Sequence, residues 1–216
     1  LQTTTTWKWK LAQTLEYKWW ENYLKNKNTQ EYLDWKLTYW DKLIFSITPY
    51  FEFPENKRIL DAGCGPAGIF MALKGNQVDA LDPLIEKYKS LPHFLPHAFS
   101  WTQFNAIALE DLQAENTYDY IFCMNAINHV NDINKCYDNL VRALKPNGIL
   151  VISTDAHKHS FLKKIFQLIP GDVLHPIQHN LQEYNQYLTE RNLSILKDIL
   201  YKEELIFDYY ITIAKK

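Results

Sequence analysis

The run Ile59-Leu60-Asp61-Ala62-Gly63-Cys64-Gly65-Pro66-Ala67-Gly68 decides how this chain is read. Arg58 to Asp61 reads as a strand, and the glycines after it read as a tight turn that opens a helix. Glycine lets a backbone turn sharply and lets a ligand come close to it. Gly63, Gly65 and Gly68 carry the spacing of the dinucleotide fingerprint, and Asp82, twenty-one residues past Asp61, stands where a ribose-binding acid belongs. A bare strand-to-helix turn with no ligand is the bland alternative, and the acid at Asp82 weighs against it. Asp61 separates the ligand classes. A dinucleotide loop must receive a pyrophosphate, and a carboxylate two residues before the first glycine works against one, whereas a ligand carrying positive charge gains from it.

Outward from this run the chain alternates strand and helix. Val78 to Asp82, Tyr118 to Met124 and Ile149 to Thr154 read as strands, Trp101 to Ile107 as a weaker one, and helical stretches fall near 68–74, 84–90 and 132–144. Such alternation predicts a parallel sheet with helices on both faces. The end of the chain differs. Ser194 to Leu200 and Leu205 to Ala214 are strand-like runs joined by only Tyr201-Lys202-Glu203-Glu204, too short for a crossover helix, so they should pair antiparallel.

Residues 7–50 read as helices. Leu11, Leu15, Trp19 and Tyr23 recur at helical spacing, and Asn26 to Thr29 breaks the pattern. A second helix carries two apolar stripes, Leu33, Leu37, Trp40, Ile44 and Ile47 beside Tyr32, Trp35, Tyr39 and Leu43. A helix apolar on two faces must be covered on both. One face suits a core, the other a ligand pocket or a partner. The expected organisation is a helical lid over residues 1–54 and a ligand-binding domain over residues 55–216. The lid should cover the cleft at the carboxyl ends of the strands, because no Gly/Ser linker precedes Lys57.

Composition narrows the function classes. The 216 residues, 47% of them hydrophobic, suit one domain with a full core. A formal net charge of −2 with no long basic run argues against a grip on duplex nucleic acid by many phosphate contacts. Cys64, Cys123 and Cys136 are an odd, scattered set, read as reduced thiols of a cytoplasmic protein. No apolar run is long enough to span a membrane, and no signal peptide is evident, although the chain starts at Leu1.

The segment Asp61-Ala62-Gly63-Cys64-Gly65 resembles the acid-x-Gly-x-Gly motif of class I S-adenosylmethionine-dependent methyltransferases. The resemblance continues through most of residues 57–214. Asp82, ending Val-Asp-Ala-Leu-Asp, matches the acid that binds both ribose hydroxyls. Leu140 to Ile152 is similar to that family's Leu-Lys-Pro-Gly-Gly segment and fifth strand, with Asn147 in place of the first glycine, a residue that tolerates left-handed backbone. Tyr118 to Phe122 resembles the fourth strand, and Asn125 to Val130 the loop after it. The resemblance implies a Rossmann-like α/β fold: a seven-stranded, mostly parallel sheet with an antiparallel C-terminal strand, flanked by helices. It implies S-adenosyl-L-methionine as cofactor, held by Asp61, Gly63, Cys64, Gly65, Asp82, Pro83, Leu109, Glu110 and Asn125. One departure stands out. The acid that meets the adenine amine after strand three has no counterpart in Ile107-Ala108-Leu109-Glu110-Asp111-Leu112, leaving Glu110 or a backbone group near Leu109 to serve.

Methyl transfer from a sulfonium is an in-line displacement in which placement does much of the work, and a base is needed only when the acceptor carries a proton that must leave. His129, at the open edge after strand four, is the candidate catalytic residue; a helix-start histidine bonded to backbone is the competing reading. His175 and His179 flank a Pro-containing loop and are read as pocket wall rather than metal ligands, because Pro176 interrupts a helix that would align them, with a plain surface loop as the competing reading. No metal is expected. Trp35 and Tyr39, four apart, are candidate substrate contacts through stacking or cation–π attraction, with two-sided core packing the plainer explanation. The expected acceptor is a small molecule with an O, N or S nucleophile. Asn125-Ala126-Ile127-Asn128 departs from the Asp/Asn-Pro-Pro-aromatic motif of nucleic-acid amino-methyltransferases, so no nucleic-acid partner is expected. The alternative is a non-catalytic cofactor-binding protein using its aromatic helices as a partner surface.

Overall fold

A computed structural model describes residues 7–53, 55–157, 179–203 and 207–216. Seven strands form one sheet: β1 Arg58–Ala62, β2 Gln77–Leu81, β3 Thr102–Asn105, β4 Tyr118–Met124, β5 Leu144–His157, β6 Ser194–Glu203 and β7 Phe207–Lys215. Their order is β3-β2-β1-β4-β5-β7-β6. β3 through β5 run parallel, β7 lies antiparallel to β5, and β6 antiparallel to β7. This is the Rossmann-like sheet expected from the sequence, with its antiparallel end. Chain order reverses between β1 and β4, and in open α/β sheets ligands bind outside the carboxyl ends of the strands at such a switch point.

Side chains alternate between two cores because strand residues point to opposite faces in turn. Ile59, Val78, Ala80, Phe122, Val151, Ile211 and Ile213 face one core. Leu60, Leu81, Ile121, Cys123, Leu150 and Ile152 face the other, where helices α4 (Ile133–Ala143) and α5 (Leu181–Thr189) bring Cys136, Tyr137, Leu140, Tyr184 and Leu188. Asp132 caps α4 through Lys135 N–H, and Asn180 and Glu183 form a reciprocal capping box on α5. All three cysteines are buried and free, so none forms a disulfide.

The first core is closed by the N-terminal helices, α1 Trp7–Leu24 and α2 Thr29–Ile47, joined by a turn that Asn28 caps onto Glu31 N–H. Leu33, Trp40, Leu43 and Ile47 of α2 lie in the same cluster as Ile59 and Val78 of the sheet. α2 thus does work that the sequence assigned to the helix near 68–74. Only a single 3-10 turn, Ile69–Ala72, forms there, since fourteen residues separate β1 from β2 and α2 already occupies the face. The Trp40 indole N–H donates to Ala67 O at 3.0 Å and joins α2 to the glycine turn. The stretch near 84–90 is likewise shorter than expected: helix α3 is Ile85–Tyr88. The weaker strand narrows to Thr102–Asn105 and the strand from Ile149 lengthens to Leu144–His157. On α1 the regular stripe Leu11, Leu15, Trp19, Tyr23 faces solvent; Trp9, Gln13, Glu16 and Trp20 turn inward instead, toward the ends of the strands. Among the described residues, no helix is long and apolar enough to cross a membrane.

Candidate functional site

The glycine turn is tied to β2 by two hydrogen bonds. Gly63 N–H and Cys64 N–H both donate to Leu81 O, at 2.8 and 2.9 Å. Gly63 has φ +74°, and a Cβ there would stand 2.3 Å from Ala126 Cβ, in the loop after β4. The residue is therefore glycine for two reasons: left-handed backbone and close approach of two strand ends. Gly65 N–H donates to Asp82 Oδ2 at 3.0 Å and Leu84 N–H to Oδ1 at 2.8 Å, so Asp82 ties the turn to the end of β2. Asp61 lies behind the turn and accepts from Phe70 N–H at 2.9 Å. A side chain at Gly68 would meet Asp61 Oδ2 at 2.5 Å.

In front of the turn lies a cavity of about 440 Å³. Its floor is Gly63, Cys64, Gly65, Asp82, Pro83, Leu109, Glu110, Asn125 and His129; its roof is Trp9, Gln13, Glu16 and Trp20 of α1 with Trp35, Lys36, Tyr39 and Trp40 of α2. At the far end Asp155, Tyr201, Lys202 and Tyr209 come from β5, β6 and β7. The structure thus brings together Trp35, Tyr39, His129 and every residue assigned to the cofactor except Asp61, which supports the turn from behind. His179 stands elsewhere: its ring packs on Tyr184 and Tyr187 of α5, with Nε2 3.3 Å from the Tyr187 hydroxyl. His175 lies outside the described residues. Among the described residues, no group of three or more His, Cys, Asp or Glu side chains is arranged to hold a metal ion.

Glu110 is occupied by the protein itself. Its Oε1 accepts from Asn131 N–H at 2.7 Å and Asp132 N–H at 3.2 Å, at the approach to α4. The Leu109 and Glu110 carbonyls accept from Asn139 Nδ2 at 2.8 and 2.9 Å. At the end of β4, Asn125 sits at φ +51°, a left-handed conformation that asparagine tolerates better than most residues. Its N–H donates to Ser153 Oγ at 2.8 Å, which shares a 2.6 Å hydrogen bond with the Tyr209 hydroxyl, and Tyr209 lines the cavity with Tyr39 of α2. The end of β4 is therefore joined to β5 and β7 by a chain of hydrogen bonds.

The electrostatics are those of a crowded acidic site. Burial, with the charge of Asp82 added, pushes Glu16 up to about 8. Burial raises Asp61 to about 7 against the Phe70 N–H, and Asp82 to about 6 against the Leu84 and Gly65 N–H groups. Lys36 is lowered to about 8 by burial, opposed by Asp61, and its ammonium sits 4.3 Å from the Trp40 ring centroid. A pyrophosphate would meet the carboxyl groups of Glu16, Asp82 and Glu110, which line the cavity. A ligand with cationic groups and hydroxyls fits the donor set. Gln13, Glu16 and Lys36 escaped the sequence reading. The signal was present in the 4-3-4 spacing of Trp9, Gln13, Glu16 and Trp20, polar between tryptophans, but the more regular leucine stripe drew the reading to the opposite face.

A model of a methyltransferase domain matches residues 32–197, from α2 to β6. The chain belongs to that methyltransferase domain family. Similar proteins agree. A ubiquinone biosynthesis O-methyltransferase of Rickettsia felis is 28% identical over 149 residues, covering 68% of this chain and 60% of the relative. The chain thus spans about three-fifths of the length of the curated relatives it first matches. A crystal structure of Burkholderia thailandensis 1,6-didemethyltoxoflavin-N1-methyltransferase, with 1,6-didemethyltoxoflavin and S-adenosylhomocysteine bound, superposes with a TM-score of 0.67 at 14% identity, covering 100% of this chain and 93% of that one. The [4+2]-cyclase SpnF, also at 14% identity, gives 0.65 and covers 82% and 80%. The fold therefore hosts more than one chemistry, and the methyltransferase domain must be read from its site.

Proposed function

We propose that this chain binds S-adenosyl-L-methionine in the cavity and transfers a methyl group to a small-molecule acceptor. The observation that carries this reading is the joint between Gly63–Gly65 and Asp82 at the switch point, faced by further carboxylates. When bound, the cofactor supplies a methyl group already activated on a sulfonium. The protein's part is to bind, place and dehydrate. Asp82 offers its carboxylate to the ribose hydroxyls. Gly63 and Gly65 keep side chains away from the ligand, and Asp61 stiffens the turn from behind. Asp82, with Asp61 and Glu16 as they ionise, sets a negative potential that favours a cation. Trp35, Tyr39 and the β5–β7 end shape the acceptor side, and α1 with the outer edge of α2 acts as a cap that keeps out water. Where the acceptor is a hydroxyl, an imidazole nitrogen of His129 takes the proton as the oxygen–carbon bond forms and the carbon–sulfur bond breaks. The Rickettsia relatives favour a hydroxyl acceptor, and the helical roof over the cavity favours a small molecule over a polymer.

Calorimetry tests the first half: both S-adenosylmethionine and S-adenosylhomocysteine should bind at one site per chain. Release of labelled methyl into a panel of phenols and quinols tests the second. Binding without transfer to any acceptor would leave a cofactor-binding protein rather than an enzyme.

A further inference from the structure

The acid that the family resemblance implies for the adenine contact after β3 has no counterpart here, while α1 adds Gln13 to the same cavity. The helix crosses the carboxyl ends of the strands in a readable order. Trp20 stands over the glycine turn, its Cζ2 3.5 Å from the place of a Gly65 Cβ. Glu16, one turn earlier, feels the charge of Asp82 at the end of β2. The Tyr17 hydroxyl, 2.8 Å from Ser90 Oγ, pins the helix to the segment that follows β2. The order β1 to β2 continues to β3 in the sheet. Gln13 lies seven residues before Trp20, roughly 10 Å along a helix, which is about two strand spacings. It therefore faces the cavity where a nucleoside's base would lie once its ribose is at Asp82.

Gln13 is only 8% exposed, and its Oε1 has no hydrogen-bond partner. Its Nε2 donates to Glu16 Oε2 at 3.4 Å. A buried amide oxygen left unpaired costs free energy and calls for a donor. Acceptors at the end of β3 are engaged in holding the fold: Glu110 Oε1 by Asn131 and Asp132, the Leu109 and Glu110 carbonyls by Asn139. A carboxamide is also the group that pairs an adenine edge in two places, accepting from the 6-amino group and donating to the neighbouring ring nitrogen.

We infer that Gln13 is the adenine-reading residue of this chain, its Oε1 accepting from the exocyclic amine of the cofactor's base and its second Nε2 hydrogen free for the adjacent ring nitrogen. The assignment rests on the cofactor reading above and adds that α1 completes the nucleoside site as well as covering it. Glu16 orients the amide.

The test is calorimetric and needs no turnover. S-adenosylhomocysteine and its 6-deamino analogue, with hydrogen in place of the amine, are titrated into the full chain and into Gln13→Leu. The wild type should bind the adenine ligand at least tenfold more tightly than the analogue. Gln13→Leu should lose that preference by weakening the adenine ligand alone. Gln13→Met, nearer in length and shape, serves if the leucine variant does not fold. A preference that survives in the variant, or a wild type that binds both ligands equally, overturns the role of Gln13 while leaving the cofactor reading intact. A wild type that binds neither ligand overturns the cofactor reading and this one with it.

Discussion

Two residues show how tightly the ligand loop is specified. Asp82 accepts two backbone N–H groups and lines the cavity, so its replacement has two consequences. Asp82→Ala leaves buried donors unpaired and should lower unfolding stability by about 2–4 kcal/mol, read from urea titration. It should also weaken S-adenosylhomocysteine binding by roughly 1.5–3 kcal/mol, the range for hydrogen bonds to a charged group. Unchanged affinity in the folded variant removes Asp82 from the ligand site. Gly63 is a case of sterics. Gly63→Ala should cost about 2–5 kcal/mol, part from left-handed backbone and part from the clash with Ala126 Cβ. Adding Ala126→Gly should restore the clash portion, about 1–3 kcal/mol, and leave the backbone portion. A double-mutant cycle with no coupling would show that the loops do not meet as described. These residues were legible in the sequence because glycines at fixed offsets and an acid at the end of the next strand are local signals. Gln13 and Glu16 were not, because nothing local tells which face of an amphipathic helix meets a cavity whose floor is formed much later in the chain, from Gly63 onward.

Elements were legible where their patterns were long. The buried strands announced themselves as apolar runs, and the short link before β7 fixed the antiparallel end. The helices between strands were harder. A helix after the glycine turn was the natural expectation from the motif, yet α2, earlier in the chain, covers that face and leaves room for one 3-10 turn. Propensity within residues 68–74 could not report a competitor 30 residues away. The joint between α2 and the turn can be tested at Trp40, whose buried indole N–H donates to Ala67 O. Trp40→Phe removes the donor and part of the ring. It should destabilise the fold by about 2–4 kcal/mol by chemical denaturation, the sum of an unpaired carbonyl and a partly unfilled space. A loss below about 0.5 kcal/mol would mean that α2 is a detachable lid and not part of the sheet's cover.

At the scale of the whole molecule, acids from three separate parts of the chain lie in one cavity or directly behind its glycine turn, and their titration should be visible in ligand choice. Glu16, Asp61 and Asp82 stand at about 8, 7 and 6 in the folded protein, against ordinary values of 4.5, 3.8 and 3.8. All three are raised because burial disfavours the charged form. Their contribution to stability is therefore fully present below about pH 4 and is lost as pH rises through 6 to 8, since the unfolded chain ionises first. Between pH 6 and 8 the ligand-free protein should lose thermal stability, and Glu16→Gln should flatten the upper part of that slope. Asp119, held below its usual range by the Arg58 N–H and Lys145, titrates with the opposite sign but well below this window. The same acids distinguish donor from product. S-adenosylmethionine carries a sulfonium, S-adenosylhomocysteine a neutral thioether, and a cation binds ionised carboxylates better than protonated ones. As pH rises from 6 to 8, the affinity ratio of donor to product should therefore increase, and donor binding near pH 7 should release protons. Calorimetry in two buffers of different ionisation heat measures that release, and titrations at three pH values give the ratio. A ratio independent of pH would show that the carboxylates do not sense the sulfonium, and the acidic site would then need another ligand to explain it.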